Sequence, residues 1–329
     1  MLVAKPDRAA PLAAPLTVSV VICAYSPERW EGLVEAVASV QRQTRLPEET
    51  ILVIDHDPAL LEQARATFND VIVIPNRSTR GLSGARNTGV RAARGDIVSF
   101  LDDDARADVT WISELVADYR DDSVVGTGGF VYPRWRTGRP PGWLPEEFYW
   151  TVGCSYRGLS GTGSAIRNPI GANMSFRRGA ILRAGGFREG VGRVLAVPLG
   201  CEETELSVRI ADVLTTGRIL HVTTARVDHM VEPERTSCRY FLARCWAEGR
   251  SKAIVAHHVG RSSGLASERT YVLRTLPRGV ARHLREGVRG DVAGFARAAA
   301  IVVGFSVTVA GYVRGKLVGA SGGALEEAA

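Results

Sequence analysis

The chain has 329 residues, of which 45% are hydrophobic, and a formal net charge of +6 with an isoelectric point near 9.3. The apolar fraction is ample for a folded core and excludes a largely disordered chain. The positive charge suits a nucleic acid, an anionic membrane or a phosphorylated substrate, although arginine supplies almost all of the excess and a coding bias would explain it equally well.

Two features of the chain favour a cytoplasmic setting. Residues 1–16 are rich in alanine and proline, and proline interrupts them before an apolar export signal can form, so we predict a disordered tail. The five cysteines are scattered and lack the paired spacings of a zinc site, which favours a reducing compartment.

Apolar runs and helical patterns alternate through the first hundred residues. Short, β-branched runs of this kind are typical of parallel strands buried on both faces, so the alternation predicts a right-handed βαβ sheet. The predicted strands are VSVVICAY, ETILVIDHD, NDVIVIPNR and DIVSFL. The predicted helices are ERWEGLVEAVASVQRQ, the segment between the second and third strands, and GLSGARNTGVRAARG, with Ser83 as N-cap and Gly95 as the glycine stop.

The pattern changes after Trp111. FVYPRWRTGRPPGWLPEEFYW is rich in proline, glycine and aromatic residues and predicts a long functional surface loop. Next come a strand and helix in NPIGANMSFRRGAILRAGGF, a helix that begins with acids in GCEETELSVRIADVLTTG, a strand pair in RILHVTTARVDHMV, and helices from Thr236 onward.

Five carboxylates follow predicted strands and would share one crevice, because ligands bind beyond the carboxyl ends of parallel strands. They are Asp55, Asp57, Asp102, Asp103 and Asp104. Repulsion at this density is costly without a cation, and oxygen ligands without nearby cysteine favour Mg²⁺ or Mn²⁺. The alternative is that Asp103 points into solvent and the other acids cap helices.

Basic residues close to the acids point to a diphosphate. Arg77, Arg80 and Arg86 precede the acidic triplet, and a helix N-terminus near Ser83 would direct free N–H groups at the same crevice. The Walker motif and a Gly-x-Gly-x-x-Gly after the first strand are both lacking, which disfavours an ATPase or a dehydrogenase.

Six ordered motifs resemble the family-2 glycosyltransferases, which have the GT-A fold. They are VSVVICAYS, the Asp after the second strand, GLSGARNTGV, FLDDDA, GANMSFRR with GGF, and GCEETEL, and the resemblance runs from Thr17 to Val231. It implies an α/β GT-A domain over residues 17–235, with a Rossmann-like, mostly parallel sheet flanked by helices, and a helical C-terminal extension over residues 236–329.

The resemblance also implies a donor site. The base of a nucleotide sugar would contact Ala24, Tyr25 and Asp55, with Asp57 as a weaker candidate, and the diphosphate would contact Arg86. Asp102 would face the ribose and the metal, Asp104 would ligate the metal, His229 would lie near the metal or diphosphate, and Asn173 would line the donor or acceptor sugar. The alternative for His229 is an ordinary surface or capping role. His221 is interpreted as structural. We favour solvated helix faces over closure on the diphosphate for three arginines, Arg235, Arg244 and Arg250.

For catalysis the resemblance implies an acidic pair at the start of a helix. Glu203 would be the general base and Glu202 would orient or contact the acceptor. The alternative is that Glu202, Glu203 and Glu205 are first-turn acids that only stabilise the helix.

The aromatic loop resembles the branch of the family that includes glucosyl-dolichyl phosphate glucuronosyltransferases. Trp143, Trp150 and Tyr156 would stack on sugars or an isoprenoid, or else pack together as a small core.

The C-terminal region favours membrane association. Residues 274–289 are strongly basic with interleaved apolar residues, which suits an anionic leaflet. Residues 292–313 are apolar except for Arg297, a borderline length for a spanning helix, and a helix buried against the catalytic domain is the alternative.

These observations predict an inverting, metal-dependent glycosyltransferase at the inner face of the cell membrane. A UDP-sugar is the expected donor and a saccharide or polyprenyl-phosphate-linked molecule the expected acceptor, in the synthesis of a cell-surface glycan; no nucleic acid partner is expected. The alternatives are a sugar-nucleotide nucleotidyltransferase and a non-catalytic glycan-binding or scaffold protein.

Overall fold

The computed structural model describes residues 15–189, 202–259 and 269–320. Most of the tail predicted over residues 1–16 therefore lies outside the described residues. The described strands are β1 (Val18–Ala24), β2 (Glu49–Ile54), β3 (Ile72–Pro75), β4 (Ile97–Asp102), β5 (Ala105–Ala107), β6 (Val124–Trp135), β7 (Asn173–Arg177) and β8 (Arg218–Val231).

These eight strands of the described chain form one sheet in the order β3-β2-β1-β4-β7-β6-β8-β5. Strands β1 to β4 pair in parallel, as their apolar runs predict. Beyond β4 both directions occur: β7 is antiparallel to β4 and β6, β8 is parallel to β6, and β5 is antiparallel to β8. The sheet is therefore mixed, and the expectation of a mostly parallel sheet holds only for its first half.

Helices cover both faces of the sheet because successive strand side chains point to opposite sides. One core cluster joins Val20, Ile22 and Leu52 to the first, second and fourth helices. The other joins Val21 and Ile51 to the third, fifth and sixth. The α-helices of the described residues are α1 (Trp30–Gln41), α2 (Pro58–Thr67), α3 (Leu82–Ala92), α4 (Trp111–Val116), α5 (Arg178–Arg183), α6 (Glu202–Val213), α7 (Cys238–Val259), α8 (Leu276–Val288) and α9 (Ala293–Ala320).

The ends of α3 differ from the prediction. Its N-cap is Gly81, not Ser83, because the chain enters the helix at a positive φ of 124°, which glycine adopts without strain. The Gly81 N–H donates to Asp55 Oδ2 at 2.8 Å. The helix ends at Ala92 with Ala93 as C-cap, so Gly95 lies beyond it.

Two further predictions are corrected. Residues 218–231 form the single long strand β8 instead of a strand pair, with a register shift where it passes β6 between Gly129 and Phe130. The predicted aromatic loop begins in β6 and continues into a 3₁₀ helix, Glu146–Val152. Phe148 is 1% exposed, so the 3₁₀ helix is internal. Residues 136–140, between β6 and this helix, are exposed, so the predicted surface loop is limited to that stretch.

The described residues beyond Thr236 are largely helical, as predicted. Their helices pack against that aromatic segment. Phe148, Phe241, Leu276 and Ile301 form a buried cluster that joins the 3₁₀ helix to α7, α8 and α9. In the described part of the chain, α9 is the one helix long and apolar enough to cross a membrane, over Ala293–Leu317.

Candidate active site

A cavity of about 820 Å³ lies between the carboxyl end of β4, the start of α6 and the C-terminal helices. Among the residues that line it are Asp102, Asp104, Glu202, Glu203 and His229. The acids predicted from two separate motifs and the histidine from a third therefore share one cavity.

Strand pairing brings a histidine to the acidic motif. The pair Ala105↔His229 between β5 and β8 places the imidazole beside Asp104, and the Met230 N–H donates to the Asp104 carbonyl oxygen at 2.9 Å. Ligand atoms of Asp102, Asp104 and His229 lie within 4.8 Å of one another, close enough to hold one cation. The three residues predicted as metal ligands are thus neighbours.

Positively charged side chains surround Asp104. Its Oδ1 is buried, lies 3.2 Å from His229 Nε2 and has no well-formed hydrogen bond among the described residues, which leaves a carboxylate oxygen available for a metal. Burial opposes charge on His229, but the Asp104 carboxylate outweighs this and raises the pKa of the imidazole to about 10. His229, Arg29 and Arg235 together overcome burial and hold the pKa of Asp104 well below its usual range.

Two arginines approach this cluster from elements outside the motifs. Arg29, just beyond β1, lies 2.7 Å from Asp103 Oδ1 and 3.1 Å from Asp104 Oδ2. Asp103 is 3% exposed and therefore does not point into solvent. The sequence analysis missed Arg29, although its place after the first strand is a signal for the same sheet edge.

Arg235 corrects a second expectation. Its guanidinium lies 3.6 Å from Asp104 Oδ2, and its side chain is 10% exposed, whereas the sequence favoured a solvated helix face. The short helix Pro233–Thr236, which follows β8, positions it. Arg235 and Arg244 both line the cavity.

Arg86 joins the metal motif to the catalytic acids. Its guanidinium donates to Glu202 Oε1 at 2.8 Å, to Asp102 Oδ1 at 3.2 Å and to the Gly171 carbonyl oxygen at 3.1 Å. The side chain is 2% exposed and packs against the rings of two buried phenylalanines, Phe100 and Phe187. Arg86 lines the cavity, but its donors are already engaged by this chain and a role against a diphosphate stays a prediction.

Glu202 and Glu203 occupy the first turn of α6, as predicted. Glu202 is buried in the ion pair with Arg86, whereas Glu203 is half-buried and lines the cavity. Removal from water and the neighbouring Glu202 carboxylate raise the pKa of Glu203 to about 8. The carboxylate form of such a group is a stronger base than an ordinary glutamate, and it predominates above about pH 8.

Asn173 does not line the cavity, which corrects its predicted place beside the sugar. Its Nδ2 donates to the carbonyl oxygens of Phe130 and Ala225, and its Oδ1 accepts a hydrogen bond from Trp111 Nε1 at 2.8 Å. The side chain is fully buried. Asn173 therefore ties β7 to β6, β8 and α4.

The residues predicted to hold the nucleotide base lie at the carboxyl edge of the sheet, outside the lining of the large cavity. Ala24 is buried and Tyr25 is 47% exposed. Asp55 accepts hydrogen bonds from Asn76 Nδ2 at 2.6 Å and from the Gly81 N–H at 2.8 Å. Asp57 caps α2 by accepting from the Leu60 N–H.

The aromatic residues divide between the two predicted uses. Trp143 packs edge-on against Phe241 in the C-terminal cluster, which is the small-core alternative. Trp150 and Tyr156 both line the cavity while they also contact Tyr271. His221 is buried beside the Ser160 carbonyl oxygen and lines the cavity too.

Comparison with solved structures shows the same fold in two metal-bound enzymes. One is a mannosyltransferase from Pyrobaculum calidifontis in complex with GDP-Man and Mn²⁺, with a TM-score of 0.57, 18% identity, and coverage of 99% of this chain and 92% of that chain. The other is GalNAc-T7 in complex with UDP, GalNAc and Mn²⁺, with a TM-score of 0.52, 20% identity, and coverage of 78% of this chain and 53% of that chain. Both establish a GT-A-like architecture.

Sequence comparison gives the family. The model described as Glycosyl transferase family 2 matches residues 19–183. A glucosyl-dolichyl phosphate glucuronosyltransferase of Haloferax volcanii is 36% identical over 244 residues, which are 73% of this chain and 77% of that protein. The chain is therefore a glycosyltransferase and belongs to glycosyl transferase family 2.

Proposed function

We propose that this glycosyltransferase moves a sugar, with inversion, from a nucleoside diphosphate sugar to a hydroxyl group of a saccharide or lipid-linked acceptor in the synthesis of a cell-surface glycan. The observation that carries the proposal is the shared cavity of Asp102, Asp104 and His229 with Glu203. The lipid-linked acceptor and a place at the membrane are supported by the dolichyl phosphate in the name of the Haloferax relative. The inner face of the cell membrane is the side that we propose.

In this proposal Asp102, Asp104 and His229 hold Mg²⁺ or Mn²⁺. When bound, such a cation offsets charge on a departing nucleoside diphosphate. Mn²⁺ is supported by its presence in both structurally similar enzymes. Arg29 and Arg235 add positive charge around Asp104 on the same side of the cavity.

Glu203 acts as the general base. It takes the proton from the acceptor hydroxyl as that oxygen bonds to the anomeric carbon, and the electron pair of the breaking bond leaves with the nucleoside diphosphate. Attack opposite the leaving group gives an inverted product. Arg86 holds the Glu202 carboxylate and so positions the first turn of α6, from which Glu203 projects.

The nucleotide is the first property to test. UDP is the first candidate because one structurally similar enzyme is bound to it, and GDP is the second because the other carries GDP-Man. Calorimetric titration of the purified protein with UDP and with GDP, each with and without Mn²⁺, is expected to show binding that requires the metal. Asp104→Ala should abolish this binding, because it removes a carboxylate from the cation site.

Asp122→Ala is the matched control, since this carboxylate is fully exposed and outside the cavity lining. The control variant should bind nucleotide like the wild type. Nucleotide binding by wild type and Asp104→Ala alike, with or without Mn²⁺, would contradict the proposed metal site. Failure to bind any sugar nucleotide would favour the scaffold alternative.

A further inference from the structure

The outward face of α9 is an apolar stripe. Its large side chains are between 43% and 60% exposed, recur every four or seven residues and extend over roughly 33 Å of helix at a rise of about 1.5 Å per residue. They are Phe295, Val302, Val309, Val313 and Leu317. Among described residues, no charged side chain interrupts the helix between Arg297 and Arg314. A long exposed stripe of this kind marks an interaction surface.

The preceding segment adds positive charge beside exposed apolar side chains. Leu273, Leu284 and Val288 are 67%, 44% and 81% exposed. Four exposed arginines lie on α8 or within two residues of its ends, and together they are named the arginines of α8: Arg274, Arg278, Arg285 and Arg289. A helix with apolar and arginine-rich exposed positions is typical of elements that lie on anionic membranes.

Acidic groups of this region do not cancel that charge, because they pair with other cations. Glu286 pairs with His283 at 2.7 Å and with Arg297 at 3.0 Å, and Asp291 also pairs with Arg297. Arg297, the one cation within the apolar run of α9, is thereby turned towards the protein. The outward surface keeps the arginines of α8 and the apolar stripe of α9.

The opposite face of α9 is held too closely by α7 for the helix to stand alone in a bilayer. A Cβ at Gly311 would lie 2.4 Å from the Trp246 carbonyl oxygen, and one at Gly315 would lie 2.8 Å from Ala253 Cβ. The same α7 carries Glu248, which lies 3.8 Å from Arg244 and 3.6 Å from Lys252. A spanning α9 would draw these charges towards hydrocarbon, which is costly.

We propose that α8 and α9 dock the protein on the surface of an anionic phospholipid leaflet, with α9 lying along the interface instead of crossing the membrane. The apolar stripe enters the boundary between headgroups and acyl chains, and the arginines of α8 contact lipid phosphates. Charge complementarity selects this occupant over a second copy of the chain, whose identical face would carry the same positive charge.

The cavity opens beside this surface. Phe305, Val309 and Tyr312 of α9 line it, and Val309 also belongs to the exposed stripe. A lipid-linked acceptor held in the leaflet would therefore enter past the Val309 side of α9. This consequence rests on the proposed function, whereas docking itself does not.

Flotation with vesicles tests the docking. The full chain is expected to float with vesicles of phosphatidylcholine and phosphatidylglycerol, poorly with phosphatidylcholine alone, and less as salt shortens the Debye length from about 30 Å at 0.01 M to about 3 Å at 1 M. Substituting glutamine for Arg274, Arg278, Arg285 and Arg289 together should weaken binding at least about tenfold. A matched variant with glutamine at the exposed Arg42, Arg65, Arg94 and Arg120 should bind like the wild type.

The orientation of α9 needs a measurement of depth. Spin labels on cysteines at Val302, Val309 and Val313, in a Cys201→Ser and Cys238→Ser background, are expected to report one shallow depth. A depth that rises to a maximum near the middle of the helix would show a spanning helix and overturn the proposal. So would failure to float, or a stable dimer that Val302→Asp and Val309→Asp dissociate.

Metal-dependent nucleotide binding by the same proteins separates this inference from the proposed function. The variant with glutamine at Arg274, Arg278, Arg285 and Arg289 is expected to keep it, because none of these arginines lines the cavity. A wild type that docks on vesicles but binds no nucleotide would overturn the proposed donor chemistry and leave the docking surface standing.

Discussion

Arg86 is the residue on which the charges of the site converge. Its buried guanidinium serves Glu202 at the start of α6 and Asp102 at the end of β4, two residues far apart in the chain. Without the Arg86 guanidinium, the carboxylates of Glu202 and Asp102 would repel each other in a site with little water. Arg86 therefore holds the start of α6 beside the end of β4 and neutralises the carboxylates that line the cavity there.

Arg86→Met is expected to lower the free energy of unfolding by about 3–5 kcal/mol, because removal of one partner leaves buried charge unpaired. Urea unfolding measures this. Arg86→Lys tests the same point with the charge retained, and should recover part of the loss. The control is Arg106→Ala, whose exposed pair with Asp228 should contribute at most about 1 kcal/mol. An equal cost at the two positions would contradict the bridging role.

Glu203→Gln is expected to lower turnover by about 10²–10⁴-fold while metal-dependent nucleotide binding remains, since the amide cannot accept the acceptor proton. In the wild type the activity should rise with pH through about 8, because the carboxyl group is protonated below its raised pKa. Steady-state kinetics over this range measures both effects. Glu62→Gln, on the exposed side of α2, should leave the profile unchanged.

The same substitution has a consequence for stability. The folded state binds the Glu203 proton more tightly than the unfolded chain does, so folding loses stability as pH rises from the ordinary value of 4.5 towards 8. Glu203→Gln should therefore gain stability relative to the wild type over this interval, as measured by urea unfolding at several pH values. A constant difference would show that the pKa is not raised.

Among the elements, α9 depends on close helix contacts that glycine permits. Positions 304, 311 and 315 all face α7 or the aromatic segment at distances that leave no room for a side chain. Helix backbones approach this closely only where the side chain is absent. The inward face of α9 therefore depends on these glycines together with Ile301, while Val302, Val309, Val313 and Leu317 face outward.

Gly311→Ala is expected to destabilise the protein by about 1–3 kcal/mol, because the added Cβ would meet the Trp246 backbone and force the helices apart. Thermal unfolding measures the change. Gly179→Ala is the matched control: this helical position in α5 has nothing within 4 Å of the added Cβ. The control should be neutral or stabilising by up to about 1 kcal/mol. A neutral Gly311→Ala would contradict the close packing of α7 on α9.

At the scale of the whole molecule, the cavity is walled both by the sheet and by the C-terminal helices, so ligand binding links these parts. UDP with Mn²⁺ should raise the unfolding temperature, because a ligand that binds only the folded state stabilises it by about 2.7 kcal/mol at 100 times its Kd. Scanning fluorimetry with UDP alone, Mn²⁺ alone and both together measures this. If the rise in unfolding temperature with UDP and Mn²⁺ together only equals the sum of the rises with each alone, the two ligands do not share a site.

Much of the fold is predictable because its information is local. Apolar runs with β-branched residues indicated β1 to β4, and motif order placed Asp102, Asp104, Glu202 and Glu203 in one candidate site before any distance was known. The acids follow strands or begin a helix, and such positions can be predicted from a short stretch of sequence. The family resemblance rests on the same short motifs.

Only the tertiary structure decided which side chains meet. Arg29 contacts Asp103 across 74 positions of sequence, Arg86 contacts Glu202 across 116, and the register of β8 on β5 sets His229 beside Asp104. The tertiary structure also shows that Asn173 is buried outside the cavity lining, and that α9 has one packed and one exposed face. Local patterns specify elements, whereas a long-range contact depends on how those elements pack, which no short stretch of sequence contains.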